Sequence, residues 1–133
     1  MGDKATIHVD GASRGNPGPA AYAFVIARPG LPAFEQAETL GIATNNVAEY
    51  TALIRGLEAA ADLGLKHIVV YSDSELVVRQ VNGDYRVKHP DLRPLYLEAQ
   101  AMLKEFSSVT ITHIRREHNK RADALCNEAL DAG

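Results

Sequence analysis

Four carboxylates carry the strongest hint of chemistry in this sequence: Asp10, Glu49, Asp73 and Asp123. Asp10 closes a run in which Ala5, Ile7 and Val9 alternate with polar residues, and Glu49 opens a helical stripe. Asp73 follows the short β-branched run Ile68–Tyr71, and Asp123 sits in the first turn of the last helical stripe. In sheets with parallel strands, functional groups gather at strand carboxyl ends and adjacent helix starts, so the four can converge on one spot. Converged carboxylates repel unless cations neutralise them, and an all-oxygen donor set suits Mg²⁺ or Mn²⁺ rather than Zn²⁺. Two such ions about 4 Å apart clamp the attacking and leaving oxygens of a phosphodiester displacement. Each acid also has a plain structural reading. Asn46–Glu49 fits a capping box, and Asp73 would favour a helix dipole. Asp123 would be a solvated first-turn acid, and Asp10 a turn former. Spacing alone does not decide between the two readings.

The elements that must position these acids follow from periodicity. Residues 5–9 read as a strand, Gly11–Pro19 as a glycine- and proline-rich loop, and Ala21–Ala27 and Phe34–Ala43 as strands around a turn at Pro29-Gly30. Tyr50, Leu53, Ile54, Leu57 and Ala61 recur at helical spacing, and Gly64 ends the run. After the strand Ile68–Tyr71 come a short helix Ser74–Val81, stopped by Asn82-Gly83, and a second helical stripe from Leu92 to Phe106. Pro94 is tolerable only in that stripe's first turn. Val109–Ile114 alternates as a fifth strand, and Ala122, Leu125, Cys126 and Ala129 stripe the final helix. The predicted fold is α/β: a five-stranded mixed sheet, antiparallel at its start and parallel later, flanked by helices.

Composition bounds the function classes. With 133 residues, 46% hydrophobic and 23% charged, residues 1–133 read as a single globular domain, not as a disordered or disulfide-stapled chain. The apolar stretch Ala20–Ala27 is too short to cross a bilayer, so no membrane partner is expected. Met1–Lys4 runs into a polar–apolar alternation without a signal-peptide core, and the lone Cys126 suits a reducing compartment. A cytoplasmic monomer is the resulting expectation. The net charge of −3 argues against a nonspecific nucleic-acid binder, but basic residues cluster late, at Arg86, Lys88 and Arg93 and again at Arg115, Arg116, Lys120 and Arg121.

Four stretches together resemble the motifs of type 1 ribonuclease H. They are Asp10–Gly18, Thr44–Glu49, Tyr71–Ser74 and Asn119–Asp123, in family order and spanning nearly the whole chain. The resemblance implies the ribonuclease H-like fold, with element order βββαβαβα. It also implies an endoribonuclease that hydrolyses the RNA strand of RNA–DNA hybrids with two divalent ions, leaving 3′-hydroxyl and 5′-phosphate ends. Carried over by motif, Asp10 would bridge both ions. Glu49 would hold one ion and contact the ribose, Asp73 would hold one and orient the water, and Asp123 would complete the second site. The backbone of Gly11, Ala12 and Ser13, with Asn16 and Asn45, would read the 2′-hydroxyl that distinguishes RNA from DNA. Thr44 would meet a phosphate of the DNA strand. A non-cleaving hybrid-binding module and another nuclease of the superfamily are the alternative readings.

The chain departs from the family pattern in three places. Many relatives carry a basic, Trp-containing protrusion between the middle helices; here only Gly83–Pro90 separates them and the chain has no Trp. The expected grip on the hybrid passes to Arg86, Lys88, His89 and Arg93. Glu75 follows Ser74 where many relatives place Gln after the third aspartate. The loop before Asp123 is short, leaving His118 or Arg116 as the candidate accessory group.

Overall fold

A computed structural model of the chain describes residues 3–133; Met1 and Gly2, part of the amino-terminal reading above, lie outside the described residues. Its strands are β1 (Lys4–Ser13), β2 (Gly18–Ala27), β3 (Phe34–Ala43), β4 (His67–Ser72) and β5 (Ser108–His113). They form one sheet in the order β3-β2-β1-β4-β5. β1 pairs antiparallel with β2 and parallel with β4, and β4 pairs parallel with β5. The helices are α1 (Asn45–Asp62), α2 (Glu75–Val81), α3 (Arg93–Leu103) and α4 (Lys120–Ala132). Both helical stripes read between β4 and β5 are present, as α2 and α3, so the helix–strand order is βββαβααβα, with one helix more at that point than the βββαβαβα that the resemblance implies. This is the mixed sheet predicted above. No helix among the described residues is long and apolar enough to cross a membrane.

Side-chain alternation divides the sheet between two layers. Ile7, Val9, Phe24 and Ile26 are fully buried on one face, beneath α1 and its Tyr50, Leu53 and Leu57. Gly56 of α1 lies so close to this face that a Cβ there would come within 3.2 Å of Val9 Cγ1. On the opposite face α4 packs against β1, β2 and β3. The small buried residues Ala21, Ala23 and Cys126 let it approach closely, with Cys126 Sγ 3.8 Å from the Ala21 carbonyl.

Several boundaries differ from the sequence reading, among them the start of β2, which begins at Gly18 inside the stretch read as a loop. Gly11–Ser13 is strand rather than loop, because Ala20–Tyr22 of β2 supply its hydrogen-bonding partners. Asp10 therefore lies inside β1, one residue past the end of the β4 pairing at Val9 and Ser72. The first helix starts at Asn45, capped by Thr44, whose Oγ1 accepts from Val47 N at 3.2 Å. The Asn46–Glu49 capping box does not form. Leu92 and Phe106 are buried but flank α3 rather than belonging to it.

The link between α2 and α3 is short and pinned. Buried Tyr50 donates to Gln80 Oε1 at 2.6 Å, Gln80 Nε2 donates to the Arg86 carbonyl at 3.2 Å, and Gln100 Nε2 donates to the Val81 carbonyl at 2.8 Å. No helix lies between α2 and α3, so the protrusion is absent as predicted.

Candidate active site

Asp10 is brought to the site by a strand that leaves one neighbour and keeps the other. β4 ends at Ser72 while β2 continues, so the Asp10 carboxyl group faces the first residue beyond β4, Asp73. Ser72 Oγ accepts from Ser74 N at 3.1 Å, and Ser74 Oγ caps α2 by accepting from Val77 N at 3.3 Å, so Asp73 sits on a fixed turn rather than acting as the cap. Glu49 occupies the second turn of α1 and reaches back to β1, its Oε1 accepting from Gly11 N at 2.7 Å. That bond takes the place of the helix-start amide of the capping-box reading. A carboxylate oxygen from each of Asp10, Glu49 and Asp73 lies within 4.8 Å of the other two. Asp123, in the first turn of α4, lines the same cavity of about 340 Å³, outside that tight trio but close enough to act on Asp10.

Electrostatics show that this arrangement is incomplete by itself. Asp10 is 4% exposed and its Oδ2 has no hydrogen-bond partner among the described residues. Burial, then the neighbouring charges of Asp73 and Asp123, push its carboxyl group up to about 8. Burial and the charges of Asp10 and Asp73 hold Glu49 well above the ordinary carboxylate range, against the lowering effect of the Gly11 amide. An orphaned buried carboxylate oxygen within an all-oxygen donor set is what a hard cation would satisfy, so these residues fit a metal site.

Raised carboxylates make the metal-free fold pH-dependent. A group whose folded value lies above its unfolded value stabilises the fold at pH below the unfolded value, and that contribution is lost as pH rises through the folded one. For Asp10 the window runs from about 4 to about 8. In EDTA the melting temperature of the wild type is expected to fall across this window relative to Asp10→Asn. Parallel melting curves of the two proteins from pH 4 to 9 would contradict the assignment.

Of the other predicted residues, Gly11, Ala12, Ser13 and Asn45 line the carboxylate cavity. Asn45 Oδ1 accepts from Ser13 N at 2.8 Å, and Asn16 Oδ1 accepts from Asn45 N at 3.0 Å, which stitches the end of β1 to the start of α1. The side-chain NH₂ groups of both asparagines therefore remain as donors. Asn16 and Thr44 line a neighbouring recess with Asn46 and His89, not the carboxylate cavity itself. The two accessory candidates separate. Arg116 stands on the cavity wall, Nη2 3.6 Å from Asp123 Oδ1, whereas His118 lines a different groove beside His8.

Two positioning contacts carried no sequence reading of their own. Asn119, 1% exposed, donates from Nδ2 to the Val9 carbonyl at 2.9 Å, and its own carbonyl accepts from Asp123 N at 3.1 Å. One residue thus ties the turn bearing Asp123 to the strand bearing Asp10. Cys126, fully buried as its helical stripe predicts, donates from Sγ to the Asp10 carbonyl at 3.2 Å. A polar residue just before a helix is the only local trace of the first contact.

Comparison with known proteins agrees with the geometry. Residues 8–129 match the family model described as "Reverse transcriptase-like". The "Ribonuclease HI" of Halobacterium salinarum is 49% identical over 131 residues, which cover 98% of this chain and 66% of that protein. A crystal structure of RNase H1 from the same organism matches with a TM-score of 0.93 at 47% identity, over 98% of this chain and 99% of that one. LC11-RNase H1 in complex with an RNA/DNA hybrid matches with a TM-score of 0.90 at 41% identity, over 96% and 97% of the two chains. The "Bifunctional protein Rv2228c" of Mycobacterium tuberculosis is 47% identical over 97% of this chain, which spans only 36% of that longer protein. Sheet order, carboxylate cluster and these likenesses coincide over nearly the whole length, and the chain belongs to the type 1 ribonuclease H family.

Proposed function

We propose that this chain is an endoribonuclease that hydrolyses the RNA strand of RNA–DNA hybrids, using two Mg²⁺ or Mn²⁺ ions and leaving 3′-hydroxyl and 5′-phosphate ends. The observation that carries the reading is the trio Asp10, Glu49 and Asp73, with ligand oxygens within 4.8 Å and an orphaned buried oxygen on Asp10. The hybrid bound in the LC11-RNase H1 structure supports the choice of substrate. Asp10, Glu49, Asp73 and Asp123 would hold the ions, which when bound supply a Lewis acid and lower the pKa of a coordinated water. Asn45, Ser13 and the Gly11–Ala12 backbone stand on the rim of the same cavity. There the Asn45 NH₂ group would donate to a ribose 2′-hydroxyl, which DNA lacks. The Arg116 guanidinium would place a positive charge beside Asp123 and the incoming phosphate.

Labelled RNA–DNA hybrid, RNA duplex and DNA duplex, each incubated with Mg²⁺, Mn²⁺ or EDTA, test the reading. Cleavage confined to the RNA strand of the hybrid and abolished by EDTA is the expected pattern. Binding without cleavage, or equal cutting of duplex DNA, would reject it.

The hybrid must also be held without a protrusion. Arg121 is engaged with Glu35 through a two-pronged contact at 2.8 and 2.9 Å, and Arg116 faces Asp123. Arg86 and Lys88, on the pinned link between α2 and α3, make no ion pair among the described residues and are free to meet phosphates. Replacing both by Ala is expected to raise KM and leave kcat nearly unchanged, the signature of lost uniform binding. The log–log salt slope of hybrid binding should fall by about one per contact removed. An unchanged slope would show that these side chains only solvate the link.

A further inference from the structure

A cavity larger than the carboxylate site lies elsewhere on the sheet. It measures about 520 Å³, within the range of small-molecule sites, and lies at the opposite end of the parallel strands. Lys4 and Thr6 of β1 border it, whereas Asp10 is six residues beyond Lys4 along the same strand, about 20 Å away at the rise of an extended chain. The cavity exists because α4 packs on β1, β2 and β3 and leaves the outer face of β4 and β5 uncovered. Val69 and Thr110 pair across those two strands on that bare face, opposite buried Ile68, Val70 and Ile111.

The lining has a definite chemistry. Its floor is apolar, from Val69, Ala27 and Pro29, and its hydroxyls come from Thr6, Ser108 and Thr110. Its charged side chains are cationic: Lys4 and Arg28, with His67 between them and the hydroxyl row. Among the described residues no carboxylate lines the cavity, although Asp3 stands beside His67, in a chain whose net charge is −3. His67 is held from both sides, Nδ1 2.8 Å from Ser108 Oγ and Nε2 3.8 Å from Asp3 Oδ2. Arg28 is half-buried at the turn after β2, and its Nε is buried with no hydrogen-bond partner among the described residues. Arg28 lines the cavity, where an anion would give its guanidinium a charge-assisted partner.

We propose that this cavity binds a small organic anion with a flat apolar body, of the mononucleotide kind. The body would lie against Val69, Ala27 and Pro29, the anionic group would meet Arg28 and Lys4, and the hydroxyl row would face the polar edges. The site is independent of the carboxylate centre and of the activity proposed for it.

The test titrates adenosine 5′-monophosphate, adenosine and inorganic phosphate into the isotopically labelled full chain in EDTA, so that the carboxylate centre holds no cation. Adenosine 5′-monophosphate is expected to shift the amides of Thr6, Arg28, Val69 and Thr110 saturably. Adenosine and phosphate should each bind at least tenfold more weakly. Arg28→Gln, which removes the charge while keeping a polar side chain, should weaken the mononucleotide at least tenfold while the rest of the spectrum and hybrid cleavage stay unchanged. No saturable shift at millimolar ligand, shifts confined to the carboxylate cavity, or wild-type affinity in Arg28→Gln would overturn the proposal. Equal binding of inorganic phosphate would also overturn it, because the apolar floor would then contribute nothing. Loss of hybrid cleavage with this binding intact would count against the proposed nuclease and not against this site.

Discussion

Asp10→Asn and Asp73→Asn are each expected to lower hybrid hydrolysis by more than a hundredfold while hybrid binding persists. The substitution is nearly isosteric, so shape is retained and one negative ligand is removed from a cluster whose oxygens lie within 4.8 Å. A metal ligand of this kind supports several kcal/mol of transition-state charge stabilisation, and each 1.4 kcal/mol is about tenfold in rate. A second readout separates lost chemistry from lost structure. Asp10 is buried, faces Asp73 and Asp123, and is raised to about 8, so removing its charge relieves repulsion in the metal-free fold. Asp10→Asn should therefore melt higher than the wild type in EDTA at pH 8 while being inactive with Mg²⁺. A variant that is inactive because it is unfolded would melt lower. Near-normal turnover by either variant, measured on purified protein with saturating hybrid, would remove these residues from the metal site.

Gly11→Ala is expected to cost on the order of 3 kcal/mol of stability, at the upper end of overpacking effects, and to lower Tm by roughly 10 °C. A Cβ on Gly11 would stand 2.2 Å from the carbonyl carbon and oxygen of Ala48 and 2.4 Å from Glu49 N. These are backbone atoms of α1, so relief requires the helix to move away from β1. That movement would carry Glu49 away from Asp10 and stretch the 2.7 Å bond from Gly11 N to Glu49 Oε1. Activity should fall even at temperatures where the variant is folded. Gly56→Ala is the control. Its Cβ would meet the tip of the Val9 side chain at 3.2 Å, a contact that a small adjustment relieves, and alanine favours a helix interior by roughly 1 kcal/mol. Thermal melts of both variants decide the point, and a wild-type Tm for Gly11→Ala would show that the two backbones are not in contact.

The elements themselves were readable because each one satisfies a local rule. Ile7 and Val9 alternate with polar neighbours, Leu53 and Leu57 repeat at helical spacing, and Gly83 breaks the chain after α2 with a φ of +88°. The four acids were readable as candidates because their residue types stand at the ends of such patterns. Their alternative roles as caps could not be dismissed locally, since Asn46–Glu49 satisfies the capping rule as well as Thr44 does. What decided the matter is that Gly11 N, 38 residues away, reaches Glu49 first.

The tertiary structure alone settled the rest. Gly11–Ser13 has the composition of a loop and becomes strand only because β2 lies beside it. Asn119 grips Val9 across 110 residues, and Cys126 donates to Asp10 across 116; contacts at such separations leave no period in the sequence. His118 is the accessory group that residue type favours, with Arg116, two residues away, as the alternative, yet the 3₁₀ turn at Arg116–His118 sends Arg116 to the carboxylate cavity and His118 to a separate groove. Residue type and local periodicity determine which groups are available and on which element they ride. Which of them share one low-dielectric pocket, and which face of the sheet α4 leaves bare beside Arg28, depends on how the elements pack, and no local window of the chain contains that information.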